Sequence, residues 1–205
     1  VGPAQGGEPE WEEGEQKPDL DPEKMFARGH TEQHMRSVGT VTVGDQTFAI
    51  TDGLGLRDHS WGPRYWQNIW WYRWLTVNLG EDHGFAVTIA GDEAGQQGAH
   101  GFLYDKQRYG DDRWVQVRKA ELSSDYDADW FPLKNRVTVT TDDHTYEVTR
   151  DVWSNIPLRN RRDDMVTRIT EGMTKWHYEG IEGAGLSEYL DQIIDETPVG
   201  TNVGM

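Results

Sequence analysis

The stretch Gly53–Trp74, GLGLRDHSWGPRYWQNIWWYRW, sets Arg57, Asp58, His59, Ser60 and Arg64 directly against indole rings. Trp61, Trp66, Trp70, Trp71 and Trp74 are five of the chain's ten tryptophans. A packed core does not call for Arg-Asp-His in a row, whereas a cavity that holds an apolar ligand with a few placed polar groups does. Asp58 and His59 carry the most chemistry. A carboxyl held against indole rings is pushed toward its neutral form, which makes it a proton donor near neutrality. A neighbouring imidazole then serves as partner acid or base. The aromatic run from Tyr65, through Trp66 and Trp70, can hold an apolar body or stabilise a developing positive charge with its ring faces. The competing reading is structural: Asp58 paired with Arg57 or Arg64 at a corner of the fold, and the tryptophans as core.

Strand geometry bears on which of these groups meet. On one extended strand Arg57, His59 and Trp61 share a face, and Asp58 and Ser60 take the other. The glycines at 53, 55 and 62 and Pro63 favour bulges or turns, which would let both polar side chains line one cavity mouth. Further along, Glu188 lies in a late, glycine-flanked segment beside Tyr189, and Glu32 lies near the start of the fold. Barrel closure would bring these ends together, although each reads first as structural. His30 and His34, four apart with Glu32 between them, are not the H-E-x-x-H pattern, and no metal or other cofactor is expected. His83, His100 and His144 fall at expected turns and read as solvated. The chain lacks the nucleophile elbow, the P-loop and the dinucleotide fingerprint.

The elements that must position these groups are short strands. Ser37–Val43 and Gln46–Thr51 alternate around Gly44-Asp45 and predict a hairpin. Strands are expected over Trp70–Asn78, Phe85–Ala90, His100–Tyr104, Trp114–Ser123, Arg136–Thr141, Thr145–Thr149, Met165–Thr170 and Thr174–Tyr178. Leu186–Ile194 reads as a last strand or a short helix, and Asn155–Asp164 as a loop. Such spacing predicts an all-β, antiparallel sheet closed into a barrel or folded into a sandwich. Residues 1–24 read as a disordered acidic tail or linker, 25–195 as the domain, and 196–205 as a loose C-terminal tail.

The formal net charge of −16 among 205 residues argues against nucleic acid and anionic membrane surfaces as partners. There is no cysteine, hence no disulfide or thiolate chemistry. No apolar run approaches the ~18 residues of a membrane span. A cytoplasmic location is expected.

At GLGLRDHSWGPRYW the sequence resembles the lipocalin-like superfamily of carotenoid 1,2-hydratase (hydroxyneurosporene synthase) and AttH-type proteins, in its C-terminal half. It is most similar to bacterial members with an R-D-H-S-W-G-x-R motif. The likeness runs from Phe26 to Ile194 and includes GHTEQH at Gly29–His34 and GAGLSEYL near the end, with Asp58, His59 and Trp61 as its specific part. The resemblance implies a lipocalin-like β-barrel, one half of a two-barrel assembly whose other half a second subunit could supply. It also implies acid-catalysed addition of water to an isoprenoid double bond, without cofactor. Carried onto this chain, Asp58 is the proton donor and His59 its partner. Arg57, Trp61, Arg64, Tyr65, Trp66, Trp70 and Glu188 bind the substrate. The expected function is therefore acid–base hydration, dehydration or isomerisation of a small apolar, terpenoid-like ligand. The alternatives are a non-catalytic lipocalin-like binding module or a subunit of a hetero-oligomer, and recognition of carbohydrate by exposed rings.

Overall fold

A computed structural model describes residues 5–7, 21–111 and 113–202. The chain forms thirteen strands among these residues: β1 (Gln5–Gly7), β2 (Gly29–Val43), β3 (Gln46–Trp61), β4 (Trp71–Leu79), β5 (His83–Gly91), β6 (Gln97–Asp105), β7 (Trp114–Gln116), β8 (Lys119–Tyr126), β9 (Pro132–Thr140), β10 (Thr145–Arg162), β11 (Met165–Tyr178), β12 (Ile181–Ile194) and β13 (Thr197–Pro198). One helical turn, α1 (Lys106–Tyr109), follows β6. All ladders are antiparallel. Most of the strands form one sheet in the order β7-β6-β5-β4-β12-β11-β10-β9-β8, with β13 beside β12, and β1-β2-β3 form a second.

The expected all-β antiparallel architecture is present, but the large sheet curls without closing into a barrel. Its two end strands, β7 and β8, are consecutive in sequence and share no ladder. Within two residues the chain passes from one end of the sheet to the other. Val117 N donates to Gly101 O at 2.9 Å, and Arg118 N donates to Thr140 O at 2.8 Å. The chain does not reverse between β7 and β8, so no hairpin can seal that seam.

Alternation along β4 divides the molecule into layers. Trp71, Leu75, Val77 and Leu79 enter the interior of the curl, where they meet Phe85, Val137, Val148 and Trp176. Tyr72, Trp74, Thr76 and Asn78 take the outer face, as period two requires. The hairpin β2–β3 crosses that outer face. His34 fastens it: its Nδ1 is 2.8 Å from Asn78 Oδ1, and its ring stacks on Trp114 at 5.4 Å between the edges of Phe102 and Tyr104. Arg36 pairs with Glu81 further along.

Several segments depart from the sequence reading, each for a local reason. β3 runs unbroken from Gln46 to Trp61, so Asp52-Gly53 is not a turn. Asn155–Asp164 is mostly strand: β10 continues to Arg162, paired with β11 alone beyond Asp151. Pro157 is tolerated there because that part of β10 is an edge with no second ladder to break. Leu186–Ile194 is strand throughout. The expected loose tail is ordered as far as 202, where Gly200 N donates to the Asp191 carboxylate at 2.8 Å and Thr201 is buried. In the expected N-terminal tail, Gln5–Gly7 pairs with β2, while residues 8–20 lie outside the described residues. Among the described residues no helix is long and apolar enough to cross a membrane.

Candidate functional site

Register builds the floor of a cavity on the outer face of the sheet. A single row runs across five strands: Glu171 on β11 faces Glu188 on β12, Glu188 faces Trp74 on β4, Trp74 faces Thr88 on β5, and Thr88 faces His100 on β6. The next row adds Tyr72 and Ala90. β12 reaches this position through the glycines of GAG. A Cβ at Gly183 or Gly185 would lie 2.0 Å from Asn78 O or 1.8 Å from Thr76 O, so β12 packs against β4 only where these side chains are absent.

The hairpin supplies the roof. His30, Glu32 and His34 are two apart on β2 and so share a face, and Asp58 on β3 is directly across from Glu32. Phe26 precedes β2 and Arg64 follows β3, with the guanidinium 4.1 Å above the Phe26 ring. Between roof and floor is an apolar-walled cavity of about 640 Å³, which Asp58, Arg64, His30, His100, Glu171 and Glu188 line among the aromatic rings.

The polar groups are held individually. His30 Nε2 is hydrogen-bonded to Asp58 Oδ2, and that bond raises the imidazole above its usual value against the opposing cost of burial. Trp74 Nε1 donates to Glu32, whose carboxyl burial pushes up nonetheless. Tyr72 donates its hydroxyl to Glu188 Oε1. Burial drives Glu188 up to about 7, outweighing the opposing charge of Arg64. Glu171 is raised by burial and then by the charge of Asp58. His100 is lowered by burial and by His30. The result is a carboxylic acid poised near neutrality, set among rings and opposite an imidazole–carboxylate pair, which is a pairing suited to moving protons.

Of the residues expected at the site, Asp58, Arg64 and Glu188 line the cavity. Arg57, His59 and Trp61 stand elsewhere because β3 remains extended without a bulge between Gly53 and Trp61, so alternation holds. His59 and Trp61 pack against each other with tilted rings 5.4 Å apart on the face opposite Asp58, and the indole of Trp61 lies against Gly29. Arg57 is exposed on that same face. Tyr65 is buried and donates its hydroxyl to Asp163. Trp66 packs on the cluster of Tyr72, Ile169 and Leu190, and Trp70 packs against the inner core.

Sequence reasoning passed over Phe26, His30, Glu32, Tyr72, Trp74, His100 and Glu171 as site residues. The signal for two of them, His30 and Glu32, was the period-two spacing of His30, Glu32 and His34, which marks one face of a strand. His100, at the start of the expected strand His100–Tyr104 and read as solvated, lies within β6 and lines the cavity, and His83 is buried 3.3 Å from Asp105.

This geometry can be set beside known proteins. A profile described as a domain of unknown function (DUF7064) matches residues 10–193. The chain belongs to the DUF7064 family. Comparison with curated proteins gives no match. The DUF7064 match spans β2 to β12, and so includes both roof and floor of the cavity.

Proposed function

We propose that this DUF7064 protein is an acid–base enzyme of the lipocalin-like hydratase type, acting on a small apolar, terpenoid-like alkene or tertiary alcohol. The observation that carries the reading is Glu188: a carboxyl raised to about 7 by burial in an aromatic-walled cavity. Protonated, it delivers a proton to an alkene carbon or to a leaving hydroxyl. The Tyr72 hydroxyl occupies Oε1, which leaves Oε2 to carry that proton. The faces of Trp74, Tyr72 and Phe26 stabilise the positive charge that develops. The His30–Asp58 pair on the roof holds the water that adds, or receives the proton that is lost. The donor role expected of Asp58 thus passes to Glu188, since Asp58 already accepts from His30 and its side chain is 41% exposed.

The test is isotope exchange. Protein incubated in D₂O with a panel of isoprenoid alkenes and tertiary alcohols should incorporate deuterium at carbon or release labelled alkene. Glu188→Gln should lower that rate by about 100-fold or more, the usual contribution of a positioned acid. Undiminished exchange in Glu188→Gln would remove the proposal. A second reading, a subunit that binds its ligand together with a partner, is favoured by the exposed Trp153, Ile156, Leu158 and Met173 on β10 and β11. Ligand binding without exchange, unaffected by Glu188→Gln, would select it.

A further inference from the structure

The roof contains more than the His30–Asp58 pair that the proton-transfer reading uses. His30 Nε2, a Glu32 carboxylate oxygen and an Asp58 carboxylate oxygen all lie within 4.8 Å of one another. His30 Nε2 stands 3.9 Å from Glu32 Oε1 and in hydrogen-bond contact with Asp58 Oδ2. Among the described residues this is the one such group of three donors. From these positions we propose that His30, Glu32 and Asp58 form a binding site for a divalent first-row metal ion at the roof of the cavity. This leaves the acid role of Glu188 unchanged and concerns only what holds water on the opposite wall.

Three observations support the site. First, the donors come from two adjacent antiparallel strands in fixed register, Glu32 directly across from Asp58 and His30 one step along the same face, so the backbone already sets their spacing. Small movements of three side chains would bring their donor atoms to the ~2.0–2.2 Å at which an ion binds imidazole nitrogen and carboxylate oxygen. Second, Glu32 is oriented from behind: Trp74 Nε1 donates to its carboxylate, the kind of outer contact that aims a metal ligand. Third, the charge balance is incomplete. Asp58, with Glu32 directly across from it, stands at a cavity whose described lining holds one permanent cation, Arg64. The Glu32 side chain is only 13% exposed, and it pairs with an indole N–H and a histidine rather than with a fixed positive charge. A dication bound here supplies the missing charge.

Three protein ligands leave at least one coordination position open for water. That is the arrangement of a reactive rather than a closed structural site. One imidazole and two carboxylates fit Zn²⁺ or Mn²⁺ better than a thiolate-preferring ion. The sequence sets His30 and His34 four apart with Glu32 between them, without the H-E-x-x-H pattern. The strand sends His34 to the Asn78 clamp and gives its place to Asp58 from the neighbouring strand.

The experiment is calorimetric titration of chelator-treated full-length protein with ZnCl₂ and, separately, MnCl₂, with no organic ligand present. One ion should bind per chain. Asp58→Asn and Glu32→Gln should each weaken binding at least tenfold, and Trp74→Phe, which removes only the orienting N–H, by about tenfold. His100→Gln, in the same cavity but outside the triad, should bind as the parent does. Unfolding curves on every variant establish that it is folded, and Glu32→Gln serves if Asp58→Asn is not. No saturable binding of one ion per chain, or binding by Asp58→Asn and Glu32→Gln as tight as the parent's, would overturn the site. Because binding is read without turnover, failure here is separable from failure of Glu188 as the acid.

Discussion

Two carboxylates three residues apart on β12 meet opposite fates. Asp191 points into the curl, where Arg73 Nη2 lies 2.9 Å from it and Gly200 N donates at 2.8 Å. Both members of that ion pair are almost fully buried. Glu188 points to the outer face, receives one hydroxyl from Tyr72, and is driven up to about 7 by its surroundings. The inner face pairs its buried charge with a fixed cation. The outer face gives Glu188 no ion pair, only the opposing charge of Arg64 across the cavity, and encloses it with rings. A carboxylate that serves the fold is compensated, whereas one that must change protonation state is left to be compensated by its proton or by what binds.

That contrast predicts different consequences on the two faces. The largest is expected for Arg73→Met, which leaves Asp191 buried without its cation. Loss of one partner of a buried pair costs about 3–5 kcal/mol, read as a lower urea midpoint at pH 7. The His34 clamp should be the acid-sensitive element. Burial lowers its imidazole from 6.5 to about 4. Its folded pKa is depressed, so the unfolded chain takes up the proton first. The contribution is present above 6.5 and is lost as pH falls toward 4, about 3 kcal/mol in all at the linkage rate per unit. Unfolding of His34→Gln between pH 7 and 4.5 should show a shallower pH dependence than the parent, and a parallel one would contradict the clamp.

Glu188→Gln should behave unlike Arg73→Met. The Glu188 pKa is raised in the folded state, so its contribution is fully present below about 4.5 and is lost as pH rises through about 7. The Gln variant should match the parent at pH 4 and be more stable at pH 8, by about 1–3 kcal/mol. Matched urea unfolding at the two pH values reads this directly, and a variant less stable than the parent at pH 8 would place Glu188 with Asp191 as a structural group. The smallest effect belongs to Tyr72→Phe. Removing a hydroxyl that favours the ionised form should raise the Glu188 titration further, by less than one unit, with about 1 kcal/mol lost in stability.

The same division explains what could be read from the sequence. Alternation and turn residues sufficed for an antiparallel all-β chain and for the hairpin at Gly44-Asp45. The two readings of the tryptophans and their neighbours, cavity wall and core, both hold in β4, with Trp71 inside and Tyr72 and Trp74 outside. Asp58, Arg64 and Glu188 were legible as polar residues in unusual company. His59 and Trp61 were drawn into the site by adjacency, where an extended strand sends neighbours to opposite faces. Glu171, His100 and Trp74 were illegible because their meeting depends on register across five strands, and no local pattern encodes which residue of β11 lies opposite which residue of β12. The open seam at β7–β8 depends on a two-residue link whose backbone bonds go to β6 and β9, which composition cannot show.

The central claim is that Glu188 holds its proton near neutrality in the outer cavity. Carbon-13 NMR of protein labelled at the glutamate carboxyl carbon, titrated from pH 4 to 9, tests it without any substrate, and Glu188→Gln identifies the resonance. A midpoint near 7 is the predicted result. A Glu188 carboxyl that titrates with ordinary glutamates near 4.5 would contradict the account, and with it the role of this cavity in proton transfer.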